Sequence, residues 1–103
     1  MPWHKVTRYT TLQREQRCVY RHERLKILLL DRGQEQVQAL ENRCPHQGYP
    51  LEDGMLDPEK NTLTCNHHLW EFSLADGRCT VARSKLQIFP AKVEGGEVWV
   101  EIP

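Results

Sequence analysis

Two short segments constrain this chain more than any run of apolar residues does. They are Cys44-Pro45-His46-Gln47-Gly48 and Cys65-Asn66-His67-His68-Leu69-Trp70, with eighteen residues between His46 and Cys65. The pattern is Cys-x-His followed by Cys-x-x-His, so each half supplies one thiol and one imidazole. Two sulfur and two nitrogen donors suit tetrahedral zinc or an iron–sulfur centre. The surrounding stretch, 43–79, also holds Pro45, Pro50, Pro58, Gly48, Gly54 and Gly77. A loop-rich stretch of this kind is expected to bury little apolar surface and to need another source of order. A bound metal centre would supply it.

The rest of the composition sets limits. A length of 103 residues fits one domain and excludes an enzyme with separate cofactor and substrate halves. Hydrophobic residues make up 39% and charged residues 27%, which fits a folded domain with a modest core and not a disordered chain. The longest apolar run, Ile27 to Leu30, falls far short of a membrane-spanning helix. Residues Met1 to Lys5 lack the apolar core of a signal peptide. Both points lead to the expectation of a cytoplasmic protein without membrane attachment. In a reducing compartment, the four cysteines favour metal over disulfides.

The formal net charge of zero hides an asymmetry. Residues 1–43 carry nine Lys/Arg against five Asp/Glu, and residues 44–103 carry five against nine. Glu52, Asp53, Asp57, Glu59, Glu71 and Asp76 gather the acidic excess. They form either an ordinary solvated surface or a face for a basic partner. No basic stripe interleaves with aromatic residues, so no nucleic-acid partner is expected.

Periodicity points to strands. Residues 25–41 read as a hairpin that turns near Arg32-Gly33. Gln87 to Val93 and Val98 to Ile102 read as a second hairpin, closed by Gly95-Gly96. Pro90 suits a strand edge, because it has no N–H to donate. Tyr9 to Glu15 could form a short helical turn, and no stretch supports a long amphipathic helix.

Zinc sites of the Cys₂His₂ type usually keep their cysteines together and their histidines together. Here each half mixes them, which suits a two-iron centre reached by two similar loops. Cys44-Pro45-His46-Gln47-Gly48 with Cys65-x-x-His68 resembles the Rieske [2Fe–2S] signature. Leu51-Glu52-Asp53-Gly54, Trp70-Glu71-Phe72-Ser73-Leu74 and Asp76-Gly77 are also similar to that family. The resemblance implies an all-β Rieske fold with an antiparallel β-sandwich scaffold over 1–42 and 80–103. A small loop-rich cluster-binding subdomain over 43–79 completes a single domain, 1–103. It implies a [2Fe–2S] cluster with Cys44 and Cys65 on the inner iron and His46 and His68 on the outer one. Neutral imidazoles in place of two thiolates raise the potential of such centres to roughly −150 to +300 mV, against about −400 mV for plant-type clusters. Imidazole ligands also imply a midpoint that falls with pH once the oxidised form begins to lose protons.

Two departures narrow the resemblance. Membrane-bound respiratory members carry extra cysteines where this chain has Tyr49 and His67, so the loop-linking disulfide is not expected. They also carry hydroxyl residues where this chain has Trp70 and Phe72. Fewer hydrogen bonds to sulfur imply a potential in the low part of the Rieske range. Leu69 stands where many members have glycine. The run His68 to Phe72 is similar to ferredoxin components of toluene-type diiron monooxygenases.

The resemblance therefore implies a monomeric one-electron carrier, not itself an enzyme. It would dock transiently with an NAD(P)H-dependent flavoprotein reductase and with a terminal oxygenase. A small subunit of an assimilatory nitrite-reductase-like complex, or a structural zinc module, is the alternative. A catalytic Rieske oxygenase would need a further mononuclear iron domain, for which the chain is too short. Among the remaining residues, His67 reads as an exposed neighbour of His68, and His4 and His22 as scaffold residues. Cys18 reads as a small hydrophobe in a strand, Cys79 as a group packed behind the cluster, with a Cys18–Cys79 disulfide also open. Trp70 and Phe72 would pack under the second loop and screen the centre from water.

Overall fold

The computed structural model describes residues 2–44, 50–66, 70–80 and 82–102. The expected ligands His46 and His68, together with Tyr49, His67 and Leu69, lie outside the described residues.

The apolar run Ile27 to Leu30 organises the molecule. It forms the middle of strand β3 (Leu25–Asp31), and all four of its side chains are buried. A strand buried on both faces reads as a continuous apolar run instead of an alternating one. Here the two faces serve two cores. Ile27 and Leu29 pack with Ala39, Phe89, Tyr9, Leu12, Val98, Val100 and Ile102. Leu28 and Leu30 pack with Leu40, Leu51, Leu63, Phe72, Leu74, Leu86, Cys44, Cys65 and Cys79.

The sheet containing β3 has the order β2-β3-β4-β8, with β2 Arg17–His22, β4 Val37–Glu41 and β8 Ile88–Phe89. On one side lies the sheet β1-β10-β9, with β1 Trp3–Arg8, β9 Ala91–Glu94 and β10 Glu97–Glu101. These two sheets are the expected sandwich. On the other side lies a small sheet, β5-β6-β7, formed by Met55–Asp57, Thr62–Thr64 and Glu71–Ser73. Every strand pair is antiparallel.

The hairpin over 25–41 is present, with Ile27 opposite Glu41 and Asp31 opposite Val37. The helical turn is also present, as α1 (Tyr9–Glu15), which turns Tyr9 and Leu12 into the sandwich core. Tyr9 donates its hydroxyl proton to Asp31 Oδ1 at 3.0 Å, which ties the helix to the end of β3.

The second hairpin is shorter than expected. Of its expected first strand, only the β9 part pairs with β10, across Gly95 and Gly96, which both have positive φ as a tight two-residue turn requires. Residues Ile88 and Phe89 instead pair with β4, in the other sheet. Pro90 separates the two pieces, and its missing N–H ends one ladder where the chain crosses between sheets.

The expectation that 43–79 buries little apolar surface is also corrected. Leu51, Leu63 and Phe72 are fully buried and Leu74 nearly so. They can be, because Leu28, Leu30 and Leu40 lend the outer face of the middle sheet as their second wall.

Candidate functional site

Both cysteines of the paired motif head loops that leave short strands. Cys44 follows β4 and Cys65 follows β6, and both are fully buried in the same apolar cluster. The two loops are held in different ways. The second, 65–70, is closed by its own backbone, with Cys65 N–H donating to the Trp70 carbonyl at 2.7 Å. The hairpin then continues as Leu63 opposite Phe72.

The first loop is longer and is closed by side chains. Asn42, only 3% exposed, accepts a hydrogen bond from the Leu51 N–H on Oδ1 at 2.7 Å. Its own N–H donates to the Lys26 carbonyl at 2.8 Å, so the clamp is anchored on the middle sheet. Arg17, from β2, donates through Nη1 to the Glu52 and Gly54 carbonyls, both at 2.7 Å. Gly54 lies where the end of this loop meets the base of the second. A Cβ there would stand 2.7 Å from the Thr64 carbonyl oxygen and 3.1 Å from that of Leu51.

Asn42 and Arg17 were not singled out from the sequence. Asn42 sits two positions before the first cysteine, and a polar residue at the end of an apolar strand was the available signal. Arg17 gave none, because its partners are carbonyls more than thirty residues away.

Phe72 is fully buried and Trp70 packs partly buried against the same cluster, as expected for aromatics under the second loop. Cys79 lies in this cluster too, placed by a bridge to Phe72. Cys18 lies against the other core, and both are free thiols, so no Cys18–Cys79 disulfide joins them. Burial, with the Glu15 carboxylate adding to it, pushes the Cys18 thiol up, which suits a protonated packing residue. The rings of His4 and His22 pack 4.5 Å apart between centroids, in the scaffold.

The acidic residues are largely occupied in local structure. Asp57 accepts from the Glu59 and Lys60 N–H groups, Asp76 from the Arg78 N–H, and Glu71 from the Thr80 hydroxyl. Turn building therefore accounts for Asp57 and Asp76.

The donor chemistry can be tested against this setting. A thiol that ligates metal loses its proton, and a bare thiolate wholly buried among leucines and aromatics is strongly disfavoured. A cationic metal centre between the two loops removes that penalty. Cys44 and Cys65 thus fit as buried ligands. Among the described residues no three His, Cys, Asp or Glu side chains are placed to hold a metal ion together, so they contain no rival site.

A mostly β domain whose two loops carry buried thiols in one shared core has the donors of a metallodomain. The chain belongs to the Rieske [2Fe–2S] domain family, which it matches over residues 2–90. The cofactor of that family is the Rieske [2Fe–2S] cluster, which decides between the iron–sulfur and zinc readings.

The chain is 39% identical over 74 residues to the ferredoxin component of the alkene monooxygenase system of Xanthobacter autotrophicus, covering 71% of this chain and 60% of that one. It superposes with a TM-score of 0.80 and 26% identity on a chain from the complex of reduced oxygenase and oxidized ferredoxin in carbazole 1,9a-dioxygenase, over 95% of this chain and 91% of that one. A nitrite reductase small subunit (putative, NADH-dependent) of Mycobacterium tuberculosis shares the fold, with a TM-score of 0.80 at 21% identity over 96% of this chain and 93% of that one. The chain spans between 20% and 62% of the length of the curated relatives it matches. Among the described residues no helix is long and apolar enough to cross a membrane.

Proposed function

We propose that this protein is a Rieske ferredoxin that takes single electrons from an NAD(P)H-dependent flavoprotein reductase and delivers them to a terminal oxygenase. The observation that carries the reading is the pair of buried thiols, Cys44 and Cys65, at the heads of two loops closed against one core. Similarity to an oxygenase-system ferredoxin supports the carrier role over that of a nitrite-reductase subunit, with which the chain shares the fold at lower identity.

In this reading Cys44 and Cys65 hold the inner iron and His46 and His68 the outer one. When bound, the cluster supplies a one-electron couple. The chain's own part is to exclude water from the thiolate side, through Leu51, Leu63 and Phe72, and to fix the loops. Outer-sphere transfer needs no substrate pocket, only a partner brought close.

Chemical analysis and spectroscopy of the purified protein test this reading. The expected result is about two iron and two acid-labile sulfide per chain and a rhombic signal from the reduced [2Fe–2S] state. His46→Ala and His68→Ala should each abolish that signal. The midpoint should lie in the low part of the roughly −150 to +300 mV range, because Trp70 and Phe72 bring no hydroxyl to the sulfurs. Zinc without sulfide would overturn the assignment. A stable complex with a nitrite-reducing catalytic subunit would favour the alternative.

A further inference from the structure

Cross-strand partners in an antiparallel pair share a face. In β2 and β3 the pairs are Arg17 with Leu30, Val19 with Leu28, and Arg21 with Lys26. Leu28 and Leu30 belong to the core under the paired loops, so Arg17, Val19, Arg21 and Lys26 all project on that side. The small sheet and the loop leading into it cover only part of this face. That loop reaches Arg17, whose guanidinium is taken up by the Glu52 and Gly54 carbonyls. It stops short of Val19, which is 39% exposed, and of Arg21 and Lys26. The step leaves an open groove of about 480 Å³ between the β2–β3 hairpin and the neck of the first loop.

Four cations line this groove: Arg21, Arg24, Lys26 and Arg43. All are exposed, and none makes a side-chain hydrogen bond or ion pair among the described residues. Two carboxylates share the lining, Glu41 and Glu52, and Glu52 already accepts from Asn42 Nδ2 at 3.5 Å. Arg21 and Lys26 stand directly opposite each other, and like charges in that position are unfavourable for the folded chain. An anionic occupant would relieve that repulsion. Arg43 immediately precedes Cys44, so an occupant of the groove lies beside the loop that bears the first thiol.

We infer that this groove is a docking surface for an acidic segment of a protein redox partner. The inference rests on the electron-carrier reading above for the partner's role, and on the groove itself for its chemistry. Small-molecule sites are mostly apolar and enclosed. This groove is open, and its long cationic side chains instead suit a carboxylate-bearing protein surface, which arginine engages through paired N–H donors. Contact here brings a partner alongside the first loop and steers encounter by charge. The docking charge is therefore basic, the opposite of what the acidic excess over 44–103 suggested.

The test uses the whole iron-loaded protein and a fluorescein-labelled decaglutamate peptide, followed by fluorescence anisotropy at low ionic strength. The native protein should bind, and Arg21→Glu with Arg24→Glu should weaken binding by about tenfold or more. Lys5→Glu with Lys92→Glu, the same net change on the outer sandwich sheet, should leave binding within about twofold. Equal losses in both double variants, or no binding by the native protein, would overturn the inference. Displacement of the peptide by inorganic phosphate well beyond that by sodium chloride of equal ionic strength would also overturn it, in favour of a small-anion site. The spectrum of the reduced cluster, recorded on the same samples, keeps the two readings apart. Its absence overturns the carrier reading, and the binding comparison still decides the groove.

Discussion

The two loops that begin at Cys44 and Cys65 do the same job by different means. The second, 65–70, is a hairpin whose neck is a backbone hydrogen bond, so almost any sequence that pairs β6 with β7 will close it. The first runs from Asn42 to Gly54, and among its described residues there is no strand to return along. Its neck is a buried amide side chain, its far end is held by an arginine from another sheet, and its last turn fits only because Gly54 has no side chain. A longer loop has more conformational freedom to lose on closure. The comparison teaches that a short loop can be closed by the backbone alone, whereas the longer one depends on a few particular side chains. The first loop should therefore be the fragile one.

Gly54→Ala should break the arrangement most, because it acts where the two loops touch. The added methyl meets the Thr64 and Leu51 carbonyl oxygens, both of them backbone, so no side chain can swing away to relieve the clash. Overpacking of this kind costs about 1–3 kcal/mol, and backbone on both sides puts this case at the upper end. Urea denaturation should show the loss. The iron content of the purified variant should fall with it, since the first loop can no longer seat against the second.

Asn42→Ala should come next, and it separates the two loops cleanly. It leaves the buried Leu51 N–H without an acceptor, a change worth about 1–3 kcal/mol. Hydrogen exchange reads the asymmetry directly. Protection at the Leu51 and Gly54 amides should drop, while the Cys65 and Ser73 amides, bonded to the Trp70 and Arg78 carbonyls, should keep theirs. Equal loss at all four would mean that the two loops form one cooperative unit, and the distinction between them would fall.

What could be read in advance follows the same division. The hairpin over 25–41, the helix over Tyr9–Glu15 and the turn at Gly95-Gly96 were legible because their signals are local: period, a breaker, a pair of glycines. The family was legible in the paired cysteine–histidine motif because its spacing is itself the signal. The small sheet was not, because strands of three residues are too short to show alternation. The two-core arrangement was half visible in Ile27 to Leu30, a run that only a strand covered on both faces needs. The parting of β8 from β9 required knowing that Ile88 and Phe89 find β4, a pairing nearly fifty residues away in sequence. Arg17 escaped for the same reason: a side chain bonded to a distant main-chain group leaves no periodic trace.

Arg17 provides the smallest and most discriminating effect. Its Nη1 reaches two carbonyls from across the sheet boundary, and hydrogen bonds from a charged donor contribute about 1.5–3 kcal/mol when buried. One of these two bonds lies at the surface, where solvent competes for both partners, so Arg17→Ala should cost only about 1 kcal/mol. Arg17→Met keeps most of the stem that covers the edge of the core and removes only the donors. If the arginine acts through its hydrogen bonds, Met should be as destabilising as Ala, with exchange at Gly54 accelerated in both. If Met restores stability and protection, the side chain acts by packing. Asn42 would then be the side chain whose hydrogen bond closes the neck of the first loop, and the contrast with its backbone-closed partner would rest on that residue.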